Sequence, residues 1–422
     1  MNPSAAELLG AVRIDGASKG MPRVSSPLSL LQAGEQGWTL GDLQPPFVVL
    51  RGSALDHNIS LMSAYCDDHN VSIAPHGKTT MAPQLWWRQL EAGAWGISAA
   101  SAAQARVMRA AGIDRVLIAN PLTDFAAIRW AADDLRDDDR ELACYVDSER
   151  GIELLETVLR ERTPPRPLPV LVELGHAGGR TGCRGTEEAM ALARRVASSP
   201  NLSLAGVAGY EGTVAHDREP SSLEAVRRYL SELRTLGVGL GEEGLLSPTA
   251  FVSAGGSVFF DLVVEELGTM PSDVGMPLVL RSGAYIVHDA GMYERSSPFA
   301  DRPVEGRFRN AFEVWGAVLS TPEDGLAIVG LGRRDVSFDQ GLPRVVAARR
   351  EDGSTEALEG AVEVTALQDQ HLFCRVREDA ELRVGDLVAC GISHPCSMFD
   401  RWRLIAVVDD DDAVVEVVAT FF

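Results

Sequence analysis

Lysine is almost missing from this chain. Lys19 and Lys78 are the only two among 39 basic residues in 422, and arginine supplies the rest. Against 60 acidic residues the net charge is −21. That deficit of positive charge excludes a broad nucleic-acid or anionic-membrane face, since both need clustered lysine and arginine. It leaves room for a local cationic pocket that takes a phosphate or a carboxylate. Cysteine is sparse too. Cys66, Cys144, Cys183, Cys374, Cys390 and Cys396 are scattered, with no CxxC pair, so no disulfide framework is expected. No stretch approaches the ~18 apolar residues of a membrane span. The opening MNPSAAELLGAVRIDG lacks the cationic start and apolar run of a signal peptide. The expected setting is a reducing cytoplasm. The acidic runs over 133–139 and 409–412 read as solvated turns.

What the chain does contain is a regular alternation. Eight short apolar runs recur, at 71–75, 95–98, 115–119, 142–146, 169–174, 204–210, 250–253 and 277–281. Stretches rich in alanine, leucine and arginine, with helical spacing, lie between them. Runs this continuously apolar belong to strands buried on both faces. Eight such units are the arithmetic of an α/β (β/α)8 TIM-type barrel. A doubly wound open sheet is the competitor, but no GxGxxG opens the series. After about Tyr293 strand-like runs continue without helices, broken by Gly, Asp and Pro turns, as in an all-β domain. The expected organisation is an N-terminal segment over 1–40 that packs on the β domain, a barrel over 41–295, and a C-terminal β domain over 296–422.

In a barrel of this type the chemistry sits just past the strand ends. Strand one runs into Pro75-His76-Gly77-Lys78-Thr79. A lysine in a partly desolvated mouth has its charged form disfavoured and becomes nucleophilic, which suits a Schiff-base role that arginine cannot fill. The bland alternative is a surface lysine that snorkels into water. Strand seven runs into Ser253-Ala254-Gly255-Gly256-Ser257, where backbone N–H groups and hydroxyls could close on a phosphate. Strand eight continues as Arg281-Ser282-Gly283-Ala284-Tyr285. Arg180 lies among the glycines after strand five, where it could bond an anionic oxygen or be a loop arginine. Tyr210 ends strand six and could meet a ring edge or belong to the core. In the β domain, Pro395 biases His394 toward an extended backbone. His394 and Cys396 would then point the same way and could grip one metal ion, with zinc favoured.

Together these stretches resemble the fold-type III pyridoxal-phosphate enzymes of the D-serine dehydratase and D-threonine aldolase group, whose barrel is like that of alanine racemase. The resemblance rests on Pro75–Thr79, Glu173 to Gly182, Gly209-Tyr210-Glu211-Gly212, Ser253–Ser257, Gly283-Ala284-Tyr285, and Ser393-His394-Pro395-Cys396 with Phe399-Asp400. It implies that Lys78 holds pyridoxal 5'-phosphate covalently. His76, Arg180, Tyr210 and Tyr285 would line the cofactor, and Ser253, Gly255, Gly256 and Ser257 would hold its phosphate. His394 and Cys396 would bind Zn2+. In this group the dehydratases look like HxC and the aldolases like HxD, so Cys396 implies a dehydratase. D-serine or a related 3-hydroxy-D-amino acid would give a 2-keto acid and ammonia. Retro-aldol cleavage to glycine and an aldehyde, and a non-catalytic cofactor carrier, are the alternatives. The resemblance implies a homodimer acting on a small-molecule D-amino acid, with no nucleic-acid or membrane partner.

Overall fold

The structure is a computed structural model that describes residues 3–271 and 274–422. Residues 1 and 2 of the N-terminal segment lie outside the described residues. The chain divides into two compact units. One comprises Met62–Lys78 and Gln89–Gly283, and the other Met1–Leu61, Thr79–Arg88 and Ala284–Phe422.

The first unit bears out the barrel. Its eight strands are β1 Ser72–Ile73, β2 Ile97–Ala99, β3 Arg115–Pro121, β4 Glu141–Val146, β5 Leu168–Leu174, β6 Leu202–Gly209, β7 Phe251–Ala254 and β8 Leu278–Leu280. Each runs parallel to its neighbours, in the order β1-β8-β7-β6-β5-β4-β3-β2. Trp95 N–H donates to Ile73 O at 2.8 Å and Ser98 N–H to Pro75 O at 2.9 Å, which closes the ring between β1 and β2. The interior is filled by Ala74, Leu117, Ala143, Tyr145, Leu171, Ala205, Ala208, Phe251 and Val279. Four of these are alanines. Ala205 and Ala208 would face opposite ways along a regular strand. A register shift against β5 at Val170/Leu171 turns both inward. Gly206 makes the shift possible: its φ is +122°, and a Cβ there would lie 1.9 Å from Phe251 O.

The acidic run over 133–139 is not all solvated. Asp134, which ends helix Phe125–Asp134, is buried and pairs with buried Arg109 at 2.8 Å. Arg109 also donates to the carbonyls of Ile113, Asp114 and Glu141 at 2.6–2.8 Å, so every side of its guanidinium is satisfied.

The second unit is antiparallel except where the strand Phe47–Arg51 runs parallel to Leu404–Val408. Its strands are β9 Phe312–Glu323, β10 Leu326–Val329, β11 Arg344–Arg349, β12 Thr355–Ala357, β13 Val362–Leu367, β14 Leu372–Val376, β15 Leu387–Gly391, β16 Leu404–Val408 and β17 Val414–Ala419. A sheet in the order β12-β11-β15-β9-β10-β14-β13 is joined through β9 to the strand Phe47–Arg51, which pairs in turn with β16. Leu9, Ile14, Leu30, Ala33 and Leu40 of the N-terminal segment share one core with Trp315, Leu404, Val414 and Val417. Among the described residues no helix is long and apolar enough to cross a membrane.

Candidate active site

At the end of β1, Lys78 stands in the short turn Gly77–Thr79. The two lysines differ in their surroundings. Lys19 pairs with Asp335 at 2.6 Å and lies 3.7 Å over the Trp402 ring. Lys78 has no ion-pair partner among the described residues. Its neighbour His76 is held well below the ordinary histidine range, first by burial and then by the positive charges of Lys78, Arg281 and Arg180. His76 is therefore neutral. Its Nδ1 is buried without a hydrogen-bond partner, and so is the hydroxyl of Tyr145. Burial pushes the Tyr145 phenol up to about 12, so it stays protonated and able to donate.

Of the other candidates at the strand ends, Arg180 acts on His76 through its charge. The Arg180 guanidinium lies 4.5 Å over the Tyr210 ring, a cation–π arrangement that orients both. Tyr229 ties β5 to β6 nearby: its hydroxyl donates to Leu174 O at 2.7 Å and accepts from Tyr210 N–H at 3.0 Å. The hydroxyl of Ser253 is already engaged. It donates to Val279 O at 2.9 Å and accepts from Arg281 Nη1 at 2.8 Å. The amides of Gly255 and Gly256 donate to the buried carboxylate of Glu211, the former at 3.1 Å. The glycine turn thus binds an anion, and here the anion is the chain's own Glu211. Ser257 is half-buried. Gly283 is a place where only glycine fits, since a Cβ would lie 2.5 Å from His76 O. Tyr285 is described in the second unit, buried beside Phe308 at 6.0 Å between ring centroids.

These features fit a pyridoxal-phosphate site. An amine with two arginines gathered beside it, a neutral imidazole with an unpartnered nitrogen and an unpartnered phenol suit an anionic, hydrogen-bonding ring. The Gly255 and Gly256 amides and the Ser253 hydroxyl are occupied by other groups.

In the second unit, β15 leads into His394. Its backbone is extended, φ −162° and ψ 123°, as Pro395 requires. Cys396 is not extended, however, because Pro395 starts a 3-10 turn over Pro395–Ser397. The expected in-line arrangement is replaced by a turn that still brings the thiol to the imidazole. Burial pulls His394 down, but Cys396 and Asp339 outweigh it and raise the ring to about 9. Asp339 Oδ2 lies 2.6 Å from His394 Nδ1. Thr79 Oγ1 lies 3.5 Å from Cys396 Sγ. Of the six free thiols, five are buried, and burial pushes Cys66, Cys144, Cys183 and Cys374 up to about 12. Cys396 alone is partly exposed. Imidazole and thiolate suit zinc, and two protein donors leave positions open for water and substrate. No group of three His, Cys, Asp or Glu arranged for a metal occurs among the described residues.

Sequence reasoning missed Arg281, Glu211, Tyr145 and Asp339 as site residues. Arg281 closes an otherwise apolar run and Glu211 sits inside the Tyr-Glu-Gly stretch, so both carried a signal. Tyr145 looks like strand core and Asp339 lies in a loop without a motif.

Comparison with known families places this geometry. Residues 50–261, half of the chain, match the alanine racemase N-terminal domain, and residues 311–408 match a serine dehydratase domain. The chain belongs to the alanine racemase-like, fold-type III pyridoxal-phosphate family. Within that family, the D-threonine aldolase of an Arthrobacter species is 26% identical over 91% of this chain and 94% of its own. The 3-hydroxy-D-aspartate aldolase of Paracoccus denitrificans is 28% identical over 73% of this chain and 77% of its own. Among solved structures, D-threonine aldolase from Filomicrobium marinum superposes with a TM-score of 0.75 at 25% identity, covering 91% of this chain and 97% of that one. The D-threo-3-hydroxyaspartate dehydratase of Delftia sp. HT23 shares the fold, with a TM-score of 0.74 at 21% identity over 91% and 99%.

Proposed function

We propose that this chain is a pyridoxal-phosphate- and metal-dependent lyase of 3-hydroxy-D-amino acids, and that it acts as a dehydratase. Water leaves across Cα and Cβ, and the product falls to a 2-keto acid and ammonia: D-serine gives pyruvate and ammonia. The observation that carries this reading is Cys396. It is the one thiol left partly exposed, it stands beside His394, and an HxC pair resembles the dehydratase side of the family.

The cofactor supplies an electron sink for charge at Cα, and the metal supplies a Lewis acid for the 3-hydroxyl. This chain's residues do the rest. Lys78 Nζ would hold the cofactor and would take the proton from Cα. Arg180 and Arg281 would hold the negative charge of the bound anionic groups. His76, kept neutral, offers Nδ1 as a hydrogen-bonding atom, and Tyr145, kept protonated, offers its hydroxyl. Tyr210 orients Arg180. Ser257 would add a cofactor contact, by family resemblance. His394 and Cys396 hold the metal.

Retro-aldol cleavage is the second reading, and the names of the relatives favour it: both curated relatives above are aldolases. One incubation separates the two. With cofactor and zinc supplied, D-threonine yields 2-oxobutanoate and ammonia by dehydration, but glycine and acetaldehyde by retro-aldol cleavage. Glycine without ammonia would overturn the dehydratase reading. An enzyme inert on D-serine, D-threonine and 3-hydroxy-D-aspartate alike would overturn both.

A further inference from the structure

The His-Pro-Cys motif does not stand alone on its turn. One carboxylate braces it from both ends. Asp339 Oδ2 lies 2.6 Å from His394 Nδ1, and Asp339 Oδ1 accepts from the hydroxyl of Ser397. His394 and Ser397 flank Cys396, so a single side chain fixes the turn that presents the thiol.

Asp339 is carried by a loop with several anchors. Asp335, four residues earlier, is buried, accepts from Gly332 N–H at 2.9 Å and Gln370 Nε2 at 3.0 Å, and pairs with Lys19. The Trp402 indole donates to Asp335 O at 2.8 Å. Val336 and Ser337 are buried, and the hydroxyl of Ser393 donates to Ser337 O at 3.3 Å. The loop before Asp339 and the strand end before His394 are thereby tied together. On another side, Ala290 N–H and Met292 N–H donate to the carbonyls of Ile392 and Ser393, and the Tyr293 ring lies 6.0 Å from that of His394.

We propose that Asp339 is the positioning residue of His394: it takes the Nδ1 hydrogen and leaves Nε2 as the metal-binding atom. The inference rests on the reading that His394 and Cys396 are metal ligands. Metal-bound histidines characteristically donate their second ring N–H to a carboxylate, which fixes tautomer and orientation and makes the imidazole a better donor. Asp339 acts through His394: one of its oxygens faces His394 and the other accepts from Ser397. It also explains Lys19, whose ion pair anchors the loop that carries Asp339.

The test measures zinc affinity of the full chain by competition with a chromophoric chelator, with zinc alone as the probe. D339A should bind zinc about 10–100-fold more weakly. D339N, whose amide oxygen still accepts from Nδ1–H, should stay within a few-fold of the parent. Zinc-free melting temperatures of the two variants should agree, which separates positioning from folding. Affinity unchanged in D339A, or D339N as weak as D339A, overturns the inference. The C396A variant keeps the two ideas apart. If C396A loses zinc while D339A keeps it, only the role of Asp339 falls. If C396A binds zinc as the parent does, the metal reading falls and this inference falls with it.

Discussion

His76 and His394 are the same side chain in opposite surroundings. At the barrel end, burial and then Lys78, Arg281 and Arg180 hold His76 well below its ordinary range. In the antiparallel unit burial acts on His394 in the same direction, yet Cys396 and Asp339 reverse the outcome and lift it to about 9. One place gathers cations in a chain of net charge −21, and the other gathers anionic donors. The first suits an anionic cofactor and the second a metal cation. The difference teaches that the overall charge says little about either site: each is defined by charges within a few ångströms.

Breaking the cationic site should have the largest effect. Lys78→Ala should lower kcat by about 10²–10⁴-fold, as expected for loss of a proton-transfer group, and abolish the absorbance of covalently bound cofactor. Zinc binding should survive, since His394 and Cys396 are untouched. If Lys78→Ala still binds the cofactor covalently, the assignment of the lysine is wrong.

The scaffolds can be set against each other in the same way. Arg109→Ala leaves buried Asp134 with only the longer 3.4 Å contact to Arg140 and should cost about 3 kcal/mol, read from urea unfolding. Arg375→Ala in the antiparallel unit breaks an ion pair whose partners are 69% and 68% exposed, and should cost less than about 0.5 kcal/mol. Similar costs for the two would remove the contrast.

Cys396→Ala should weaken zinc binding by more than about 100-fold, because losing a ligand exceeds the loss of a supporting residue. Cofactor absorbance should be unchanged, which would show that the two sites can be disabled separately.

A pH effect sharpens the comparison of the histidines. Because the folded protein holds His76 below its unfolded value, protonation favours the unfolded chain. The stability His76 contributes is full above about pH 6.5 and falls as pH drops below it, by at most ~1.4 kcal/mol per pH unit. Unfolding at pH 7.5 and pH 5.5 should show a smaller difference in His76→Gln than in the parent. An equal difference would mean that His76 is not held neutral.

The barrel was legible because its signal is repeated. Eight apolar runs of the right spacing constrain one another, and the structure has a strand within each. Lys78 and the His-Pro-Cys motif were legible because rare residue types stand at strand ends. The strand Phe47–Arg51 was not, since FVVLR looks like any buried strand and its partners β9 and β16 lie more than 250 residues away in sequence. Asp134 was misread because a run of aspartates suggests water, and only the fold supplies Arg109. The Gly255–Gly256 turn was recognised as an anion site, but its occupant in this structure, Glu211, is fixed by three-dimensional proximity. Asp339 reaches His394 across 55 positions, and no local pattern announces it.

The antiparallel unit is assembled from Met1–Leu61, Thr79–Arg88 and Ala284–Phe422. On a ribosome, the earliest of these pieces emerges long before its partners exist. Phe47–Arg51, apolar and β-prone, must wait for both β9 and β16 before its two edges are paired. Unpaired strands of this kind are prone to off-path association. Pairings that span so much sequence also form slowly, because a long loop must close first. The nascent chain therefore carries Phe47–Arg51 with unpaired edges until β9 and β16 have been made.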